Sequence, residues 1–210
     1  MVDLCGDLHG LVWRLPRHGF PFEAESLPRN GIYALFERGE AGHGGDRIVR
    51  VGTHTGADQL PPRLTQHFVH EHKDRSIFRK NIGRALLCRA GDSFLEQWEL
   101  DLTTRKTRER YAGSVDLERQ LAVERDVTEY IQRNFTFAVF GVWDKAERLG
   151  LESACLSTVS LCETCAPSPA WLGNHSPKER IRESGLWNVN ELYKTPLRIE
   201  QIRLLESLCG

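Results

Sequence analysis

Two apolar segments separated by a glycine-rich link set the strongest constraint on how this chain folds. The first reads Gly31-Ile32-Tyr33-Ala34-Leu35-Phe36. The second reads Ile48-Val49-Arg50-Val51-Gly52 and runs on through Thr53-His54-Thr55-Gly56. β-Branched and aromatic residues dominate both, and Gly or charged residues bound them, which is strand composition. The link Arg38 to Arg47 holds four glycines and Asp46, so it reads as a loop. The pattern predicts two antiparallel strands joined by a flexible hairpin.

The rest of the chain supplies helices to cover such a hairpin. Residues 1–28 contain Pro16, Pro21 and Pro28 with Gly6, Gly10 and Gly19, and read as a loosely structured lead-in that packs Trp13, Phe20 and Phe22 onto the body. Asp58 is placed to cap a helix begun by Pro61 and Pro62, with Leu60, Leu64 and Phe68 on one face. Ser76 caps a second helix whose stripe is Ile77, Phe78, Ile82, Ala85 and Leu86. Residues 93–101 read as a short helix or strand and 103–110 as a basic loop. Residues 116–134 form a long amphipathic helix with Leu117, Leu121, Val127 and Ile131 inside. Thr136 to Trp143 is a third strand, and Asp144 caps a helix to about Cys162. Short C-terminal helices follow, the last over 197–208.

The expected fold is therefore mixed α/β (α+β). A small, largely antiparallel three-stranded sheet is flanked by helices, with a helical insertion over 75–134. The organisation is a lead-in over 1–28, a main domain over 29–176, and a C-terminal helical extension of it over 177–210.

Charge narrows the function. The chain carries a formal net charge of −1, so any nucleic-acid binding must rest on a local patch. Between Pro61 and Gly91 seven Lys or Arg face two acids; the expected contacts are Arg75, just before Ser76, and Arg79, Lys80 and Arg84 on the helix that follows it. On a neutral chain the stretch 61–91 is a candidate phosphate footprint, against the alternative of a solvated helix face. No apolar run approaches the length of a membrane span. The first residues lack the basic-then-apolar layout of a signal peptide. The expected location is a cytoplasm that keeps thiols reduced. Six cysteines are present. A single C-x-x-C, Cys162 to Cys165, with Cys155 and His175 nearby, offers a zinc reading, set against plain thiols.

Two further features bear on chemistry. Arg63 and His67 lie four residues apart and project to one side of their helix. Glu152 falls in the stripe Leu149, 152, Leu156, Val159, where an apolar residue is called for. A carboxylate there must be paired, face a cleft, or bind a cation.

The order Gly31-Ile32-Tyr33, then Arg50-Val51-Gly52, then Arg63 with His67, then Glu152, resembles the GIY-YIG nuclease family over roughly residues 29–176. One departure is Arg50, where the family's second motif has tyrosine, with His54 close by. The resemblance implies metal-dependent hydrolysis of phosphodiester bonds in nucleic acid, with DNA the expected substrate, by a monomer or homodimer. Tyr33 would be the general base, its phenol, of ordinary pKa about 10, served by positive charge from Arg63. Arg63 would hold a phosphate oxygen, and His67 would orient water or relay a proton. Glu152 would be the sole protein ligand of one Mg²⁺ or Mn²⁺, since one carboxylate plus waters suits a hard cation. Asn174 would brace the site, with Asn188 or Asn190 as substitutes. Arg50 would offer a cation to phosphate, and Lys80 is a reserve contact. The alternatives are a binding module that kept the fold and lost the chemistry, with Arg50 as its mark, and a small zinc protein using Cys155, Cys162, Cys165 and His175.

Overall fold

The computed structural model describes residues 3–209 of the chain. In chain order the elements are α1 (Leu4–Arg14), β1 (His18–Gly19), β2 (Gly31–Gly42), β3 (Gly45–Gly52), α2 (Leu60–Phe68), α3 (Ile77–Ala90), α4 (Leu95–Trp98), α5 (Arg105–Arg110), α6 (Leu117–Asn134), β4 (Phe135–Gly141), α7 (Lys145–Ser160), α8 (Glu179–Ser184) and α9 (Ile199–Ser207). The sheet is antiparallel in the order β1-β4-β2-β3. It has four strands rather than the three expected, because His18 and Gly19 pair with Phe137 and Thr136 at one edge.

The paired strands continue into the glycine-rich link, leaving only His43 and Gly44 as the turn. Both have positive φ, 52° and 87°. That is the type I′ turn whose twist suits a two-residue hairpin. The loop expected over residues 38–47 is thus mostly strand. Near its other end the hairpin carries a bulge. Leu35 pairs with Arg50 while Phe36 pairs with Ile48, so Val49 is the extra residue. A bulge re-aims side chains: Arg50 joins Tyr33 and Leu35 on one face, and Val51 stays on the other.

Strand β2 is buried from Gly31 to Glu37, since helices cover both faces. Ile32, Ala34 and Phe36 pack with Leu8, Leu11 and Val12 of α1, with Leu151 and Leu156 of α7, and with Leu205 of α9. Tyr33 and Leu35 pack with Leu64 and Phe68 of α2, Phe78 and Ile82 of α3, and Val127 and Ile131 of α6. A strand covered on both sides reads as an unbroken apolar run rather than an alternation.

Three expectations are corrected. The lead-in is not loose: α1 is an eleven-residue helix capped by Asp3, whose side chain accepts from the Gly6 amide at 2.9 Å. Helix α2 begins without a side-chain cap, because Asp58 turns away to accept from Asn30 Nδ2 at 2.7 Å. On α6, Leu117 and Leu121 are exposed, and the inward face is Val123, Val127 and Ile131.

Among the described residues no helix is long and apolar enough to cross a membrane, and all six cysteines are free thiols.

Candidate active site

Tyr33 is wholly buried on β2, directly opposite Gly52 of β3. The pairing depends on glycine. A Cβ at residue 52 would lie 2.3 Å from the Tyr33 hydroxyl, so the phenol occupies the space a side chain would need. Its hydroxyl lies 2.7 Å from His67 Nε2 on α2, and His67 Nδ1 lies 2.7 Å from Ser76 Oγ. Ser76 is also the N-cap of α3, accepting from the Arg79 amide at 3.3 Å. Three elements, β2, α2 and α3, are therefore joined by one chain of hydrogen bonds. Burial, reinforced by Arg63, Arg50 and Arg79, holds His67 well below the ordinary imidazole range, so it is neutral.

Arg50 lies buried on the same face. It donates from Nη1 to the Trp187 carbonyl at 2.9 Å, and its guanidinium sits 5.3 Å over the Phe78 ring. Its Nε has no partner among the described residues. Arg63 is half-buried, donating to the Arg75 carbonyl at 3.0 Å and to Gln66 Oε1 at 3.2 Å. Beside it opens a cleft of about 580 Å³ lined by Thr53, His54, Thr55, Gly56, Gln59, Arg63 and Gln66.

Glu152 sits at the border of the buried face of α7, not at its centre. Burial pushes its carboxyl up, while Arg50, the Thr53 amide and Arg63 pull it down and Glu191 pushes it further up. The buried carboxylates Glu40, Asp74 and Glu124 each have a cation within 3.0 Å, and buried Glu37 instead accepts from Tyr130, Trp171 and Trp187. Glu152 takes part in no such pair among the described residues. It is a partly desolvated carboxylate with two guanidinium groups near but not bonded to it.

The remaining expected residues divide. His54 is tied into the fold: Nε2 accepts from the Gly31 amide at 3.3 Å, and Nδ1 lies 2.7 Å from the Gly56 carbonyl. Burial holds it below its ordinary range. Asn174 is not with Tyr33. It donates to the carbonyls of Ser168 and Pro169, beside the Glu40–Arg47 pair at the far end of the hairpin. Asn188 lies instead against β3, next to Gly52. Its side-chain amide grips Val51 like a strand partner, accepting from Val51 N at 3.3 Å and donating to Val51 O at 2.9 Å.

The basic footprint is corrected. Arg79 pairs with Glu124 at 2.9 Å, Lys80 with Asp74 at 3.0 Å, and Arg84 with Glu99 at 2.5 Å, and all three cations are buried. The acidic partners Glu99 and Glu124 lie outside residues 61–91, so the composition of that stretch alone does not carry the neutralisation. Of the four expected contacts only Arg75 is exposed. The zinc set is also not assembled as expected. Cys155 is buried on α7 in the core with α1, and His175 is exposed in a short 3₁₀ turn, Leu172–His175.

Sequence reasoning missed Ser76 as a partner of His67, seeing it only as a cap. It also missed Arg148, buried with no carboxylate partner among the described residues, which donates to the carbonyls of Val142, Trp143 and His54. Neither position carries a local signal.

Motif residues from four segments thus converge where β2 and β3 meet α2 and α7. The chain matches the model of the GIY-YIG domain over residues 21–208, and it belongs to that family. The match runs beyond the 29–176 span of the motifs and takes in Trp187 and Asn188. Members of the family are in general endonucleases. Neither the curated proteins nor the solved structures contain a match to this chain.

Proposed function

We propose that the protein is a divalent-metal-dependent nuclease that hydrolyses phosphodiester bonds in nucleic acid, with DNA as the first substrate to test. The observation that carries the reading is the hydrogen-bonded series Tyr33–His67–Ser76 ending at Gly52, beside an unpaired Glu152 and the Arg63 cleft.

In this reading Ser76 donates to His67 Nδ1 and His67 Nε2–H donates to the Tyr33 oxygen, the arrangement that leaves that oxygen to act as the base. Once the phenol has given its own proton to bulk water, Tyr33 as phenolate takes the proton of the attacking water while Nε2–H steadies the oxygen. His67 is a positioning residue in this scheme.

Glu152 suits a hard cation, being a single partly buried carboxylate that no side-chain cation among the described residues pairs with. Glu152 would hold a Mg²⁺ or Mn²⁺ ion, which would supply Lewis-acid stabilisation of charge on the phosphate. Arg63 binds a non-bridging oxygen at the cleft. Arg50, in place of the family tyrosine, keeps a cation beside Glu152 and holds the segment bearing Asn188. The exposed Arg75 and the half-buried Arg63 remain as phosphate contacts, whereas Arg79, Lys80 and Arg84 do not face solvent.

A plasmid-nicking assay with Mg²⁺, Mn²⁺ or EDTA tests the reading. Metal-dependent nicking that Tyr33→Phe and Glu152→Gln abolish is expected. Folded wild type that binds nucleic acid but cuts with neither metal would reduce it to a binding module.

A further inference from the structure

Away from the nuclease site, at the turn of the β2–β3 hairpin, we infer that Cys5, His9, His43 and Cys165 form a structural zinc site. Their ligand atoms all lie within 4.8 Å of one another. Cys5 Sγ is 3.6 Å from Cys165 Sγ, and His9 Nε2 is 3.9 Å from Cys165 Sγ. Zinc bonds of about 2.3 Å to sulfur and 2.0–2.1 Å to nitrogen put neighbouring ligands of a tetrahedron roughly 3.4–3.8 Å apart. The shorter spacings already match, and the longest closes by about 1 Å.

The sequence builds the site from three separate segments. Cys5 and His9 are four apart on α1 and so share a helix face. His43 is the first residue of the hairpin turn. Cys165 follows α7. All but His43 are buried, and the His43 side chain is nearly so.

The outer contacts also fit. His43 Nδ1 lies 3.2 Å from Asp3 Oδ2, which leaves Nε2 for a metal, and His9 Nδ1 lies 2.8 Å from the Cys5 carbonyl. Carboxylate and carbonyl partners of this kind orient imidazole ligands. His9 Nε2 now accepts from the Ile48 amide at 3.1 Å, a bond that metal binding would replace. Two thiolates and two imidazoles, with no carboxylate among them, select zinc over Mg²⁺ or Ca²⁺. His43 Nε2 now contacts Thr164 Oγ1 at 3.1 Å and Cys162 Sγ at 3.3 Å, and Cys162 is the other thiol beside the site. This site is independent of the nuclease reading and shares no residue with it. Its role is to clamp α1 and the end of α7 to the hairpin.

The test is metal analysis of full-length protein purified without chelator. About one zinc per chain is expected, as for a closed four-ligand site. It should persist in Glu152→Gln and Cys88→Ser and be lost from a Cys5→Ser/Cys165→Ser double variant that circular dichroism shows to be folded. Cobalt loaded into wild type in place of zinc should show thiolate charge-transfer absorption, a readout that needs no variant. The inference is overturned if folded wild type, supplied with zinc and dialysed, retains none. Zinc kept by the double variant, or a Cys5–Cys165 disulfide in place of metal, would also overturn it. Loss of zinc from Cys162→Ser with retention in His9→Gln would replace the donor set and reject the one inferred.

Discussion

Substituting Gly52 by alanine isolates the contact on which the proposed base depends. The added Cβ would stand 2.3 Å from the Tyr33 hydroxyl, 2.5 Å from Cζ and 3.0 Å from Cε2. Even a tight contact of 3.0–3.4 Å requires the phenol and residue 52 to separate by about 0.7–1.1 Å. The phenol is wholly buried and bonded to His67 at 2.7 Å, and its strand is paired on both sides, so it has nowhere free to go. Overpacking of this kind costs about 1–3 kcal/mol. At roughly 2–4 °C per kcal/mol for a chain of this size, Tm should fall by about 2–12 °C. A reacting group displaced by about 1 Å loses on the order of 100-fold in rate. Gly52→Ala should therefore melt lower, bind nucleic acid normally, and nick plasmid about 100-fold more slowly. If the loss acts through Tyr33, adding Gly52→Ala to Tyr33→Phe should cost little more. Wild-type nicking by Gly52→Ala, or losses that multiply with Tyr33→Phe, would refute the reasoning.

Other substitutions probe neighbouring claims. Removing the Glu152 charge with Gln should leave metal-free Tm unchanged or higher while Mg²⁺ affinity falls; a loss of roughly 3–5 kcal/mol would instead mark a buried ion pair. Arg79→Met strands the buried Glu124, so unfolding should show a loss of about 3–5 kcal/mol, and a Tm within about 2 °C of wild type would contradict the ion-pair assignment. His67 has a folded pKa well below its unfolded value near 6.5. Its contribution to stability is present above that pH and lost as pH falls below it. Urea unfolding at a series of pH values should thus show a drop below about pH 6.5 that is smaller in His67→Gln, and equal slopes would count against a buried neutral His67.

What was legible in the sequence was legible for local reasons. Tyr33 and Gly52 announce themselves through strand composition, and Asp116, Asp144 and Ser76 cap α6, α7 and α3 as their side-chain chemistry predicts. Glycines at 39, 42, 44 and 45 mimic a loop in the sequence, whereas the two paired strands tolerate them around a two-residue turn. Helix α1 hid behind its glycines, since its burial against the sheet outweighs their poor propensity. The site residues that failed did so through distance in sequence. Arg79, Lys80 and Arg84 look like a surface until Asp74, Glu99 and Glu124 are folded against them. Asn174 lies in a plausible order but at the wrong end of the hairpin, and Asn188 reaches Val51 only through the C-terminal fold-back.

The strand order has a consequence for synthesis on the ribosome. β2 ends at Gly42, but its second partner, β4, begins only at Phe135. At about 5–20 residues per second, the hairpin emerges with one flank of its most apolar strand open for roughly 5–20 s. Until β4 arrives, the backbone that will carry Tyr33 is a bare template for pairing with another nascent chain. Slower translation through 43–134 would lengthen that window, making the yield of soluble protein sensitive to codon choice in a stretch that contributes no strand besides β3.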